Sequence, residues 1–132
     1  MQTKLANLLL VDVALAALVG GNRIQWDTLP QGTPQGSIGM TLVSGITDYH
    51  MLGPSGLEFA RVQFDCRDST AAKARAIAEA LKARLSGFRG EFEGYKFMGC
   101  FQAAQRTSFG KVDANTWFTD SRDFEIHWAA IA

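Results

Sequence analysis

A strand followed immediately by a helix is the feature that most limits what this chain can fold into. Residues 57–66 alternate between apolar and polar side chains, which is the period of a strand with one buried face. The apolar set is Ala60, Val62, Phe64 and Cys66, and the polar set is Arg61, Gln63 and Asp65. Because one set is polar, we expect one side of the sheet to meet water or a neighbouring subunit.

The residues after this strand predict an amphipathic helix over 70–85. Asp68, Ser69 and Thr70 are residue types that cap helix N-termini, and Gly87 is placed to end the helix. The apolar stripe recurs at helical spacing and comprises Ala74, Ile77, Ala78, Leu81 and Leu85. The outer face has a basic excess, which we interpret as a solvated surface rather than an anion site.

The other patterns predict a second helix, further strands and three loops. An apolar run over residues 3–19 begins at Thr3 and ends before Gly20-Gly21, as expected of a helix buried on more than one side. The strand-like segments are residues 23–26, 37–47, 95–105 and 117–130, the last as one strand or a bent pair. The predicted loops and polar turns are residues 27–37, 48–56 and 106–115.

This order of elements predicts the fold class. Helices and strands do not alternate one for one, which disfavours a parallel doubly wound sheet. We expect an α+β fold in which a mostly antiparallel β-sheet carries two α-helices packed on one face. The 132 residues contain no repeat or linker, so residues 1–132 should form a single domain, with the 47% hydrophobic content of an ordinary globular protein.

Charge and hydropathy argue against several functional classes. The 13 basic and 13 acidic residues cancel, whereas dedicated nucleic-acid binders carry a basic excess. The apolar run near the N-terminus differs from a secretion signal, because Asn7 and Asp12 interrupt it and Lys4 alone supplies positive charge. The run is also too short and too polar to span a bilayer. We therefore expect a protein made and used in the cytoplasm, without a membrane partner.

The residues that could carry chemistry show no site-like spacing. His50, Cys66, Cys100 and His127 are far apart in sequence, which gives no support to a zinc site, and the glycines do not form a phosphate-binding loop. We expect both cysteines to be reduced and buried, with a disulfide left open if their strands are neighbours. Pairing Cys66 with His127 is the one nucleophilic site that can be constructed. We expect no catalytic residue, metal or cofactor.

Three stretches, taken in order, resemble one protein family. The first is residues 17–34, where Ala-Leu-Val-Gly-Gly is followed by Arg23-Ile24, Trp26 and Leu-Pro-Gln-Gly-Thr-Pro. The second is residues 61–66 with the Ala-rich helix and Gly-Phe-Arg-Gly that follow, and the third is the closing strand at residues 122–126. In order and spacing these stretches resemble the small tail-completion proteins, or tail terminators, of long-tailed phages, prophages and gene-transfer agents. A proline that such families often carry near Ser37 is missing here.

The resemblance implies a structural virion protein that is not an enzyme and needs no cofactor. Its implied form is a homohexameric ring at the head-proximal end of the tail tube, where it stops tube growth. The implied partners are other copies of the chain, the tail tube protein and the head-tail connector protein. Genome DNA would pass through the lumen without sequence-specific contacts. The implied location is the virion tail, and the host cytoplasm during assembly.

A closed ring uses head-to-tail contacts, so each subunit needs two different contact surfaces. We expect the loop at residues 48–56, together with the first helix, to supply part of this contact, and Tyr49, Met51 and Leu52 are its candidate interface residues. We expect the turn at residues 106–115, with Phe109 and Lys111, to meet the tail tube or the connector. The alternatives are a head-completion ring of the same connector and a small ligand-binding or Cys-dependent α+β enzyme.

Overall fold

Helices and the strands of a β-sheet make up most of the part of the chain that the structure describes. This computed structural model describes residues 2–10, 12, 17–18, 24–26, 36–92, 94–112 and 115–130. The helices are α1 (Gln2–Leu10) and α2 (Ala71–Leu85). The strands are β1 (Ile24–Trp26), β2 (Ser37–His50), β3 (Gly53–Asp68), β4 (Gly90–Phe92), β5 (Tyr95–Val112) and β6 (Asn115–Ala130).

The strands form one sheet in the order β1-β2-β3-β6-β5-β4. β1 runs parallel to β2, and every other adjacent pair is antiparallel. The centre of the sheet is the β3–β6 pair, in which Val62 lies opposite Phe124. The structure therefore confirms the predicted α+β fold with a mostly antiparallel sheet.

One apolar core lies between the sheet and the two helices. Leu5, Leu8 and Leu9 of α1 and Ile77, Leu81 and Leu85 of α2 are buried in the same cluster. The sheet contributes Ile38, Met40, Val62, Phe64, Cys66, Phe97, Cys100, Phe124 and Ile126. Burying each of these larger apolar side chains contributes about 1.5–3 kcal/mol relative to an exposed position. The alternation predicted for residues 57–66 is confirmed, because Val62 and Phe64 are wholly buried.

Helix α2 begins and ends where its sequence signals predict. The hydroxyl oxygen of Thr70 accepts a hydrogen bond from the backbone N–H of Lys73 at 3.2 Å, which satisfies one free donor of the first turn. At the other end, the N–H of Ser86 donates to the carbonyl of Lys82 at 2.8 Å. Gly87 then turns the chain with φ +75°, a conformation that favours glycine.

Helix α1 is shorter than the helix predicted over residues 3–19. It ends at Leu10, and Asp12 is not helical. Aspartate is a poor residue for a helix interior because its carboxylate competes for backbone hydrogen bonds. Here the Asp12 carboxylate lies 3.9 Å from the guanidinium of Arg84 on α2. Ala17 and Leu18 are helical again and exposed, and the predicted stop at Gly20-Gly21 lies outside the described residues.

Two of the three predicted loops are wrong. Most of residues 48–56 belongs to the ends of β2 and β3, which are joined by a turn at Met51 and Leu52. Residues 106–112 continue β5, and Asn115 already begins β6. Local polarity and glycines suggest loops here, whereas the long-range pairing of adjacent strands determines the structure. Of the third loop, residues 27–35 lie outside the described residues.

Candidate functional site

The two cysteines are buried, free and far apart. Cys66 lies opposite Asp120, whereas Cys100 lies opposite Ile126, roughly 20 Å further along β6 at a strand rise of about 3.3 Å per residue. This separation excludes the disulfide that the sequence left open. Burial raises the pKa of the Cys66 thiol well above its ordinary value and that of the Cys100 thiol to about 12. Neither thiol therefore supplies a thiolate near neutral pH.

The pairing of Cys66 with His127 does not occur. Cys66 faces the core, whereas His127 lies opposite Phe59 on the other face of the sheet. The imidazole ring lies between Phe59, at a centroid distance of 4.6 Å, and Phe101, at 5.5 Å. The nucleophilic site that the sequence allowed between these two residues is therefore excluded. In the described part of the chain, no group of three or more His, Cys, Asp or Glu side chains could hold a metal ion.

The helix-free face of the sheet carries a hydrogen-bonded polar network. Asp123 on β6 accepts hydrogen bonds from Arg61 on β3 at 3.1 Å and from Arg106 on β5 at 3.2 and 3.3 Å. Arg106 also donates to the side-chain oxygen of Gln63 at 2.6 Å. The Ser121 hydroxyl donates to Asp65 at 2.6 Å and joins β6 to β3 again. Asp123 thus offsets one of the two positive charges and links β3, β6 and β5 on this face.

A second polar network lies on the core face and was not predicted from the sequence. Arg122 is wholly buried and donates from Nε and Nη2 to both oxygens of Asp120, at 2.8 and 3.1 Å. It also donates to Glu79 of α2 at 3.1 Å and to Gln102 of β5 at 3.2 Å. Arg122 and Phe124 are two residues apart on β6, so their side chains point to the same face of the sheet. The alternation of side chains along this strand was the sequence signal that could have placed Arg122 on the core face.

The candidate interface residues lie in two hairpins at opposite ends of the sheet. The β2–β3 hairpin extends beyond the last β3–β6 pair, Leu57 with Ala129. Tyr49 lies opposite Pro54 in this hairpin, and Met51 and Leu52 form its almost wholly exposed turn. Because β3 and β6 are antiparallel, this end of the sheet is remote from the turn that joins β5 to β6.

The β5–β6 hairpin extends beyond the other end of β3. The last pair between β3 and β6 joins Asp68 to Phe118, and the hairpin continues to the pair of Val112 with Asn115. Phe109 is 76% exposed, with its ring centroid 6.4 Å from that of Phe118. Lys111 lies opposite Thr116. The two segments that contain these candidate residues are therefore strand hairpins that project from the sheet, rather than loops.

An open groove separates the β5–β6 hairpin from the start of α2. Its volume is about 310 Å³, and its lining includes Ala71, Ala74, Arg75, Phe109 and Phe118. Small alanines on α2 leave this space because they do not reach the hairpin.

Among the described helices, none combines the length and apolarity that crossing a bilayer requires.

Comparison with known proteins gives a family match and similarity to solved structures. Residues 3–119 match the family described as Tail completion protein gp17. No curated protein matches the chain. The fold is similar to a chain in the structure of the virion of a native gene transfer agent (GTA) particle, with a TM-score of 0.75 and 20% identity, covering 98% of this chain and 95% of that one. The chain therefore belongs to the Tail completion protein gp17 family, whose members are structural tail proteins of the virion and not enzymes.

Proposed function

We propose that copies of this chain form a ring that caps the head-proximal end of the tail tube and joins it to the head-tail connector. Family membership supports a tail-completion role. The observation that carries the proposal is the pair of hairpins that project beyond opposite ends of one sheet. A ring subunit needs contacts of two kinds, one with its neighbours in the ring and one with the tube or the connector, and this chain has a projecting hairpin at each end of its sheet.

The exposed side chains of the hairpins support their use as contacts. Met51, Leu52 and Phe109 are large apolar residues with most of their surface exposed. Apolar side chains grouped at a projecting tip are typical of protein interaction sites. In our proposal, Tyr49, Met51 and Leu52 contribute to the contact between neighbouring subunits, and Phe109 and Lys111 contact the tail tube or the connector.

The charge distribution supports a lumen through which DNA passes without being held. The chain has a net charge of zero, so it lacks the cationic excess that supplies most nucleic-acid affinity. Arg61 and Arg106, which could otherwise neutralise phosphates, share an ion pair with Asp123, which offsets one of their two positive charges. A ring built from such subunits would not retain the genome during ejection.

The mass of the purified protein tests the proposal. Light scattering over a range of protein concentrations should give a species of about six times the 14.4 kDa chain mass, since closed symmetric rings are the common result of head-to-tail contacts. Electron microscopy should show a lumen, and added tail tubes should carry the ring at one end only. A protein that is monomeric in solution and on tube ends contradicts the ring. A ring that binds head connectors and ignores tubes indicates a head-completion protein instead.

A further inference from the structure

Both outer edges of the sheet contain long strand segments without a neighbouring strand among the described residues. β1 pairs with β2 only at residues 38–40, and β2 continues to His50. β4 pairs with β5 only at residues 95–97, and β5 continues to Val112. Each edge therefore offers a row of backbone donors and acceptors along most of a strand.

The β2 edge is exposed on both of its faces. Every residue from Thr41 to Ile46 is exposed, although alternate residues of a strand point to opposite sides. Ile46 is 63% exposed, and Leu42 and Val43 are exposed by 41% and 49%. Three large apolar residues on an uncovered strand favour contact with another protein surface.

The β5 edge has the same character. Met98 and Phe101 are exposed, the latter by 52%, and residues 105–110 are all exposed. The strand register places the exposed parts of β2 and β5 at the same level along the strand direction. Thr41 of β2 pairs with Gln63 of β3, and Ala104 of β5 pairs with Asp123 of β6. Gln63 and Asp123 are themselves paired in the centre of the sheet. The exposed parts of β2 and β5 therefore lie directly across the sheet from each other.

The facing parts of the two edges lack two of the features by which monomeric proteins prevent strand pairing. Such features include lysine and other charged residues, and proline, on the edge strand. Residues 41–47 and residues 98–105 contain no charged residue and no proline. Each edge strand has a bulge near the level of Val62, at Val43 on β2 and at Ala103 on β5. Bulges bend a strand, so the two edges bend at matching heights.

The directions of the strands indicate that a second copy of the chain can pair with these edges. β2, β3, β6 and β5 are antiparallel in succession, so β2 and β5 are antiparallel to each other. When a copy is placed beside the sheet by rotation about an axis along the strands, its β5 meets β2 in an antiparallel direction. This contact joins two different surfaces, as a closed ring requires, whereas pairing of β2 with another β2 would end at a dimer.

We infer that β2 of one subunit pairs with β5 of the next, near Val43 and Ala103, so that the sheets of neighbouring subunits are continuous. This inference rests on the ring proposed above and specifies how its subunits contact one another. Main-chain hydrogen bonds supply affinity in such strand addition, and side-chain fit supplies specificity.

Cross-linking tests the pairing. In the variant Val43→Cys with Ala103→Cys, mild oxidation should join subunits into a ladder that reaches the full ring on a non-reducing gel. Within one chain these positions are separated by β3 and β6, about 14 Å at the usual strand spacing, so they form no internal disulfide. The control is Val43→Cys with Ala76→Cys, where Ala76 is an exposed residue of α2. It should give no ladder.

Charge variants at the same two exposed positions provide an independent test. Lysine at both Val43 and Ala103 should prevent ring formation, because like charges face each other across the strand pair. Val43→Lys with Ala103→Glu should restore the ring, and both variants should have the circular dichroism spectrum of the parent.

The outcomes separate this inference from the proposed function. A ring that forms in the parent and in the double-lysine variant alike, without a ladder in the cysteine variant, overturns the strand pairing and leaves the ring intact. A parent protein that is monomeric at every concentration and on tail tube ends overturns both.

Discussion

At the scale of single residues, Arg122 gives the sharpest prediction. Asp120 is 2% exposed, and its carboxylate is held by the buried guanidinium of Arg122. Arg122→Leu leaves that carboxylate buried without its counter-charge, which should cost about 3–5 kcal/mol in the free energy of unfolding. The loss is measured by urea denaturation monitored by circular dichroism.

A second variant separates charge from packing at this position. Replacing both Arg122 and Asp120 with leucine removes the buried pair together, and such replacements are often neutral or stabilising. The double variant should therefore be more stable than Arg122→Leu alone. If the two variants are equally unstable, lost packing rather than the unpaired carboxylate causes the effect.

Glu79 gives a prediction on pH. A hydrogen bond from Arg122 lowers the pKa of the Glu79 carboxyl in the folded protein, relative to about 4.3 in an unfolded chain. The contact therefore stabilises the folded protein at pH values above the pKa of Glu79 in the unfolded chain. This stabilisation is lost as the pH falls through the lower pKa of Glu79 in the folded protein. The stability difference between the parent and Glu79→Gln, from denaturation between about pH 6 and pH 3, should shrink with acidification. A constant difference would mean that Glu79 does not titrate against Arg122.

The residues of the two networks show which side chains can be placed from a sequence pattern and which cannot. Alternation on the closing strand correctly places Phe124 and Ile126 on the core face. It places Arg122 there as well, but a charged residue is assigned to the solvent unless its partners are known. Asp120 is a partner that the same alternation places on this face, whereas Glu79 of α2 and Gln102 of β5 are distant in sequence, and no local pattern reveals them.

At the scale of elements, the cap of α2 is a local feature with a measurable effect. Thr70→Ala removes the oxygen that accepts from Lys73 and should lower the free energy of unfolding by about 1 kcal/mol. Ser69→Ala is the matched control, because the Ser69 hydroxyl donates to Asp68 and does not contact the first turn of the helix. An equal loss in both variants, measured by thermal or urea denaturation, would contradict a capping role for Thr70.

The elements also show where prediction from sequence succeeds and where it does not. β3 and α2 are correctly predicted because their signals, an alternation and a capped stripe, are contained in the segments themselves. The hairpin arms are missed because residues 106–112 become a strand only by pairing with β6. The helix over residues 3–19 is overextended because Asp12, a weak signal in an apolar run, ends α1 early. The resemblance to tail-completion proteins is confirmed by the family match.

At the scale of the whole molecule, the β2–β3 hairpin gives a prediction about assembly. Replacing both Tyr49 and Met51 with aspartate places charge at the tip that we assign to the contact between subunits, and it should give monomers by light scattering. Ala72→Asp with Ala76→Asp adds the same charge to exposed positions on α2 and should leave the ring intact. A normal ring from the hairpin variant removes Tyr49 and Met51 from the interface.

The β5–β6 hairpin extends from the opposite end of the sheet, so its loss should affect a different step. Phe109→Ser with Lys111→Ser changes positions beyond the end of β3, where no core residue is disturbed. Ring mass should stay unchanged, whereas particles complemented with this variant should accumulate unjoined heads and tails and lose infectivity. The β2–β3 variant should instead fail before any ring forms, since its contact is between subunits. Normal infectivity of the Phe109 and Lys111 variant would show that this end of the sheet meets neither the tube nor the connector.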